Sequence, residues 1–215
     1  GVTNHLYKKM TGDQKDFSKA YYDLKELTGN NDWIAVIHAD GNGLGEVVAK
    51  QNNAKDLKTF SEKLDQSTIE AARRSCSLLM RDSILPIRPV VIGGDDLTVI
   101  CKADIAVDFV SIYLKCFEEE TRKRGIPLTA CAGIAYMKSS YPFYYGYEMA
   151  EMLCGKAKED AKSDVLKSAN NGLAPSCMMF HKIQSSFVDD FSVIYEKELH
   201  PCQTHSYLFG PYYIS

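Results

Sequence analysis

Two glycine turns carry carboxylates where apolar runs stop. Asp40-Gly41-Asn42-Gly43 ends the run Trp33-Ile34-Ala35-Val36-Ile37-His38, and Gly93-Gly94-Asp95-Asp96 sits between Val90-Val91-Ile92 and Leu97-Thr98-Val99-Ile100. Hard divalent cations bind carboxylate and carbonyl oxygens. Two such turns side by side can hold one or two magnesium (or manganese) ions, one activating an attacking hydroxyl and the other steadying a leaving pyrophosphate. The chemistry this predicts is attack of a ribose 3′-hydroxyl on the α-phosphate of a nucleoside triphosphate. Asp40 and Asp96 are the expected metal bridges. Asp95 binds metal or helps to deprotonate the hydroxyl, and Gly41 can lend its carbonyl.

The glycines have their own task. Gly41, Gly43 and Gly45 let backbone approach phosphate at the start of a helix, where amides attract anions. Gly93 and Gly94 permit positive φ in a hairpin turn. Asn42, Gly43, Gly93 and Gly94 are therefore candidate nucleotide contacts. Taken alone, Gly93-Gly94-Asp95-Asp96 reads equally well as a plain hairpin, because Gly and Asp are common turn residues. The acidic turn upstream, at the matching place in the topology, decides for a site. A dinucleotide fingerprint is excluded by Glu46 where a third glycine is needed, and no GK[ST] phosphate loop is present.

Lys158 and Lys162 lie one helical turn apart. With Ala157 facing the core, Lys158 stands at its border and can reach a triphosphate as a point charge. Lys162 is the second candidate, with a solvated helix face as its plainer reading. His38 and His181 read as packed strand histidines, and His5, His200 and His205 have no metal spacing. Tyr141, Tyr144, Tyr145 and Tyr147 could stack on a base, with ordinary packing as the commoner role of such residues. No His-Asp pair of a metal phosphohydrolase occurs.

Strands and helices must bring the two turns together. The first strand is predicted over about 33–39, then a helix over 54–80 with Leu57, Phe60, Leu64, Ala71, Cys76 and Leu79 on one face. Two strands flank the second acidic turn as a hairpin. Asp104 is the expected N-cap of a helix running to Arg124. A strand over 128–136, a helix over 145–166 with Ala150, Leu153, Ala157 and Ala161 inward, and a strand over 177–181 follow. A lead-in segment (1–31), containing a short helix over 16–27, precedes a palm over 32–200, and 201–215 form a tail. The order is β-α-β-β-α-β with an extra C-terminal helix and strand, a ferredoxin-like α+β palm. In that topology the end of the first strand and the hairpin turn share one edge of the sheet.

Composition bounds the rest. The chain has 215 residues, 45% hydrophobic and 25% charged, with a net charge of −3. It suits one soluble domain with no global pull toward nucleic acid. Seven widely spaced cysteines form no CxxC pair, so reduced thiols in a cytoplasmic protein are expected rather than a zinc ribbon or disulfides. No apolar run is long enough for a membrane span and no signal peptide is visible, so no membrane partner is expected. Gly1 in place of Met reads as a removed tag or a piece of a longer protein.

The ordered series of motifs resembles the palm domain of the large signature subunit of type III CRISPR effector complexes. It is carried by Ile34-Ala35-Val36-Ile37 with Asp40-Gly41-Asn42-Gly43, by Gly93-Gly94-Asp95-Asp96, by Ala132-Gly133-Ile134-Ala135 and by Tyr141-Pro142-Phe143. Ala150-Glu151-Met152-Leu153, Ala157-Lys158 and Phe180-His181 continue it. The match spans about residues 33–181. The resemblance implies a fold similar to GGDEF diguanylate cyclases and class III adenylyl cyclases, and synthesis of cyclic oligoadenylates from ATP with a divalent metal in antiviral defence. It implies metal ligation by Asp40, Asp95 and Asp96 and triphosphate binding by Lys158. The partners it implies are a second palm, effector subunits and RNA, although RNA binding does not follow from this segment alone. Asn42 stands where many relatives have a second aspartate, which predicts weaker hold on one metal. The HD nuclease domain and zinc ribbon of the full subunit are absent from this sequence, so it reads as an isolated palm or a compact relative. Two other readings stay open: a catalytically weak nucleotide-binding scaffold, and a diguanylate-cyclase-like enzyme, against which Leu97 follows Asp96 where that family has phenylalanine.

Overall fold

The computed structural model describes residues 2–11, 24–28, 32–49, 53–79, 85–183, 193 and 210–214. Helices α1 (Val2–Thr11) and α2 (Leu24–Thr28) precede strand β1 (Trp33–Gly41), α3 (Leu44–Ala49) and α4 (Ala54–Leu79). Strands β2 (Ile87–Gly93) and β3 (Asp96–Lys102) form the hairpin, followed by α5 (Ala106–Lys123) and β4 (Ala130–Lys138). Then come α6 (Phe143–Ala161), α7 (Asp164–Ala169), β5 (Cys177–Lys182) and β6 (Tyr212–Tyr213). The arrangement is the α+β ferredoxin-like palm.

The strands form one six-stranded sheet in the order β2-β3-β1-β4-β5-β6. β1 is central and runs antiparallel to both β3 and β4, while β5 lies parallel to β4. Residues 34–39 of β1 are buried without a break, because helices cover both faces of the sheet and leave neither side of this strand to water. On one face Ala35, Ile37 and Val99 pack with Phe60 and Leu64 of α4 and with Phe109, Tyr113 and Phe117 of α5. On the other, Ile34, Val36 and Met137 pack with Met149, Leu153 and Ala157 of α6.

Two glycines let α6 lie directly on the sheet. A Cβ at Gly133 of β4 would stand 1.9 Å from the Ala150 carbonyl oxygen, and one at Gly146 of α6 would stand 2.3 Å from Met137 Sδ. The helix axis is therefore set by backbone contact and carries its last turn, with Lys158, over the end of β1.

Several elements depart from the sequence reading. β1 extends through Asp40 and Gly41, which pair with Cys131 and Ala130, so the first carboxylate sits on a ladder rather than in a turn. Leu57 is 41% exposed; it lies in the first turn of α4, beyond the region where that helix meets the sheet. Asp104 does not cap α5: it falls inside a 3₁₀ turn (Ala103–Ile105), and the cap position is Ile105 with no side-chain bond. The long last helix is two helices, because the Ser163 side chain accepts a bond from the Leu166 amide and starts α7 afresh. Of the expected 16–27 helix, 16–23 lie outside the described residues, as do His200, His205 and Cys202. Tyr212 and Tyr213 of the tail pair with β5. The six described cysteines are free and buried. No helix among the described residues is long and apolar enough to cross a membrane.

Candidate functional site

Asp40 and Asp96 reach the same face of the sheet by strand alternation. Val36, His38 and Asp40 alternate on β1, and Asp96, Thr98 and Ile100 on β3, with His38 opposite Thr98. Asp95 occupies the hairpin turn between Gly93 and Asp96, which pair with each other. In that two-residue turn Gly94 has φ +60° and Asp95 does not have positive φ, the signs of a type II′ connection. Gly94 thus meets the expectation of positive φ, and Gly93 does not need it.

The three carboxylates converge: one oxygen from each of Asp40, Asp95 and Asp96 lies within 4.8 Å of the other two. Gly41 makes this possible, since a Cβ there would press on Asp95 Cβ at 3.0 Å and Asp95 Oδ2 at 3.3 Å. Oxygens on an octahedral magnesium are about 3 Å apart at adjacent positions and about 4.2 Å at opposite ones, so a cluster of this span is one that a single ion could draw together.

The electrostatics fit a cation. Asp95 is pushed from 3.8 up to about 6, by burial first, then by its hydrogen bond with Asp40 and the charges of Asp40 and Asp96. Asp96 is raised by burial and by Asp40, against opposing pulls from His38 and Lys158. Crowded carboxylates that resist ionisation gain most from a divalent ion. Lys158 of α6 donates directly to Asp40 Oδ2 and is the cation now balancing the cluster.

A cleft of about 420 Å³ opens beside these groups, lined by residues that include Asp40, Gly43, Gly45, Glu46, Lys158 and Lys162. Its size is that of a small-molecule site. Gly41 and Asp95 also line it, whereas Asn42, Gly93, Gly94 and Asp96 do not. The Asn42 amide is buried and donates to Thr129 Oγ1 at 3.0 Å, while its backbone N–H bonds the Thr129 carbonyl at 2.8 Å. Asn42 therefore ties the first turn to the start of β4. His38 is a packed strand residue, bonded through Nδ1 to Thr98 Oγ1 at 3.0 Å and edge-on to Tyr147. Tyr144 is 57% exposed.

The hairpin turn is gripped from below by residues that hydrophobic pattern alone does not single out. Gly94 N–H donates to Asp65 Oδ1 at 3.2 Å, and Thr68 Oγ1 donates to the Gly94 carbonyl at 2.6 Å. Lys9 of α1 bridges Asp65 and the Ile92 carbonyl. Asp65 and Thr68 are three apart on α4, a spacing that places both on one helix face; which backbone they meet depends on tertiary packing.

Comparison with known proteins gives the fold its relatives. The family model for the Cas10/Cmr2 second palm domain matches residues 33–167. Similar solved structures include the Csm1-Csm4 cassette in complex with cA4, with TM-score 0.57 and 17% identity over 77% of this chain and 23% of that one. The cassette with AMPPNP has TM-score 0.53 and 19% identity, over 64% of this chain and 21% of that one. The apo cassette has TM-score 0.52 and 20% identity, over 60% and 19%. These likenesses concern the fold, and the chain spans about a fifth of the length of the solved chains it matches. No curated protein matches the chain. With the family match covering more than half of its residues, and the palm sheet in place, the chain belongs to the Cas10/Cmr2 second-palm-domain family.

Proposed function

We propose that this palm is a metal-dependent nucleotidyltransferase that joins ATP into cyclic oligoadenylates. The observation that carries this reading is the meeting of Asp40 from β1 with Asp95 and Asp96 from the hairpin and with Lys158 from α6, beside a cleft that Asp40, Asp95 and Lys158 line. In the reaction, the 3′-oxygen of one ATP bonds to the α-phosphorus of another and the bond to pyrophosphate breaks. Asp40, Asp95 and Asp96 would hold magnesium or manganese, which supplies charge neutralisation at the phosphate and acidifies the attacking hydroxyl. Where Asp95 stays off the metal, its carboxyl, raised to about 6 by burial and by Asp40, suits it to accept the hydroxyl proton at neutral pH. Lys158 exchanges Asp40 for the triphosphate, and Lys162, one turn on, extends the positive lining of the cleft.

The choice of adenine rests on relatives. Csm1-Csm4 structures are described in complex with AMPPNP, with one ATP, with pppApA and with cA4. Csm1-Csm4 also forms a subcomplex of a type III-A CRISPR-Csm interference complex. We extend this to effector subunits and a second palm as partners here, the second palm presenting the other ATP. Incubation with each labelled nucleoside triphosphate and magnesium or manganese tests the reading. A phosphodiester product from ATP with pyrophosphate release supports it. ATP binding by calorimetry without any product favours a silent scaffold, and a strong GTP preference favours the diguanylate-cyclase-like alternative.

A further inference from the structure

The inner face of α5 carries Phe109, Tyr113 and Phe117 in a column, with successive ring centroids 6.2 and 6.1 Å apart. Two members are hydrocarbon. The middle one is tyrosine, only 1% exposed, and among the described residues its hydroxyl is the buried side-chain polar atom without a hydrogen-bond partner. A buried hydroxyl with no partner costs its desolvation and returns nothing, so phenylalanine would serve the core better.

The surroundings say what the hydroxyl is near. Burial raises its ionisation far above the ordinary tyrosine range; the Thr68 hydroxyl pulls the other way, and the charges of Asp95, Asp96 and Asp40 add to the rise. Thr68 is itself fully buried and spends its one proton on the Gly94 carbonyl at 2.6 Å. That leaves the Thr68 oxygen free to accept. A proton from Tyr113 would complete a chain running Tyr113 O–H to Thr68 O–H to Gly94 C=O, ending one residue before Asp95. Chained hydrogen bonds polarise and strengthen one another. A hard cation draws its ligands together, and Asp95 and Asp96 can approach it only with the turn whose Gly94 carbonyl Thr68 holds.

We propose that Tyr113 is a positioning residue for the acidic turn, acting through Thr68 and Gly94 to set Asp95 and Asp96 for a divalent cation. This rests on the metal-dependent reading of the same site. The hydroxyl stays uncompensated in the metal-free protein and gains its partner when the turn draws in. Its role is distinct from that of Asp65, which holds the Gly94 N–H from the other side.

The test is manganese binding to the full chain, by calorimetry or by the paramagnetic signal of free Mn²⁺, beside thermal unfolding without metal. Tyr113→Phe should leave the metal-free melting temperature unchanged or raised, and weaken Mn²⁺ binding roughly tenfold or more, as loss of an outer-shell partner does. Thr68→Val should weaken it too, and the double variant should be no worse than Thr68→Val alone. A Tyr113→Phe protein that binds Mn²⁺ as tightly as the parent overturns the proposal, whatever its melting temperature. A parent that binds no Mn²⁺ overturns the metal-dependent reading itself, so the two failures are told apart.

Discussion

Asp95 links the cluster to pH. Its carboxyl is raised from 3.8 to about 6, by burial first and then by Asp40, so the folded protein holds this proton more tightly than the unfolded chain does. The resulting stabilisation is fully present below pH 3.8 and is lost as pH rises through about 6. Replacing Asp95 with Asn removes the ionisation. The metal-free variant should therefore gain in melting temperature relative to the parent as pH rises through about 6, and a pH series of paired melts checks it. A constant difference across that window would mean that Asp95 is not crowded by Asp40. Magnesium binding to the parent should strengthen over the same window, since the ion competes with the proton.

At the scale of elements, the site depends on how closely α6 rides on the sheet. A Cβ at Gly133 would collide with the Ala150 carbonyl oxygen at 1.9 Å. Gly133→Ala should cost at least about 1–3 kcal/mol, the range for overpacking, and should weaken ATP binding by shifting Lys158. Gly155, on the same helix with nothing within 4 Å of its missing Cβ, is the control; Gly155→Ala should be neutral or stabilise by up to about 1 kcal/mol. Chemical denaturation of the three proteins checks both. The order of the palm elements, the hairpin and the convergence of Asp40 with Asp95 and Asp96 were legible in the sequence, because apolar runs ending in glycine-acid turns leave few topologies. The placement of Lys158 was legible through Ala157 and the resemblance. What was hidden depends on which surfaces meet. The bond from the Asn42 amide to Thr129 could not be foreseen, and Asp65, Thr68 and Tyr113 look like helix residues until the hairpin is packed against them. The break at Ser163 was readable as a cap and was masked by the continuing Ala157–Ala161 pattern.

At the scale of the molecule, the chain is one palm, matching about a fifth of the length of the solved chains it resembles. The cleft presents one set of carboxylates, with Lys158 and Lys162, and the proposed reaction needs two ATP molecules placed head to tail. A second palm facing this one would provide the second nucleotide. The isolated chain should then be weakly active, with product formation rising more than linearly with protein concentration. A dilution series with strictly proportional activity would rule out a shared site. The proposed reaction requires the acidic turn to bind metal-nucleotide. Thermal melts of the parent and of the Asp95→Asn/Asp96→Asn protein, each with and without magnesium-ATP, address this most directly. The double variant should stay folded and be slightly more stable without metal, because two neighbouring charges are gone. Magnesium-ATP should raise the melting temperature of the parent and leave that of the variant unmoved, since only the parent has a ligand for its native state. Equal stabilisation of both proteins would contradict the account and reduce Gly93-Gly94-Asp95-Asp96 to a hairpin turn.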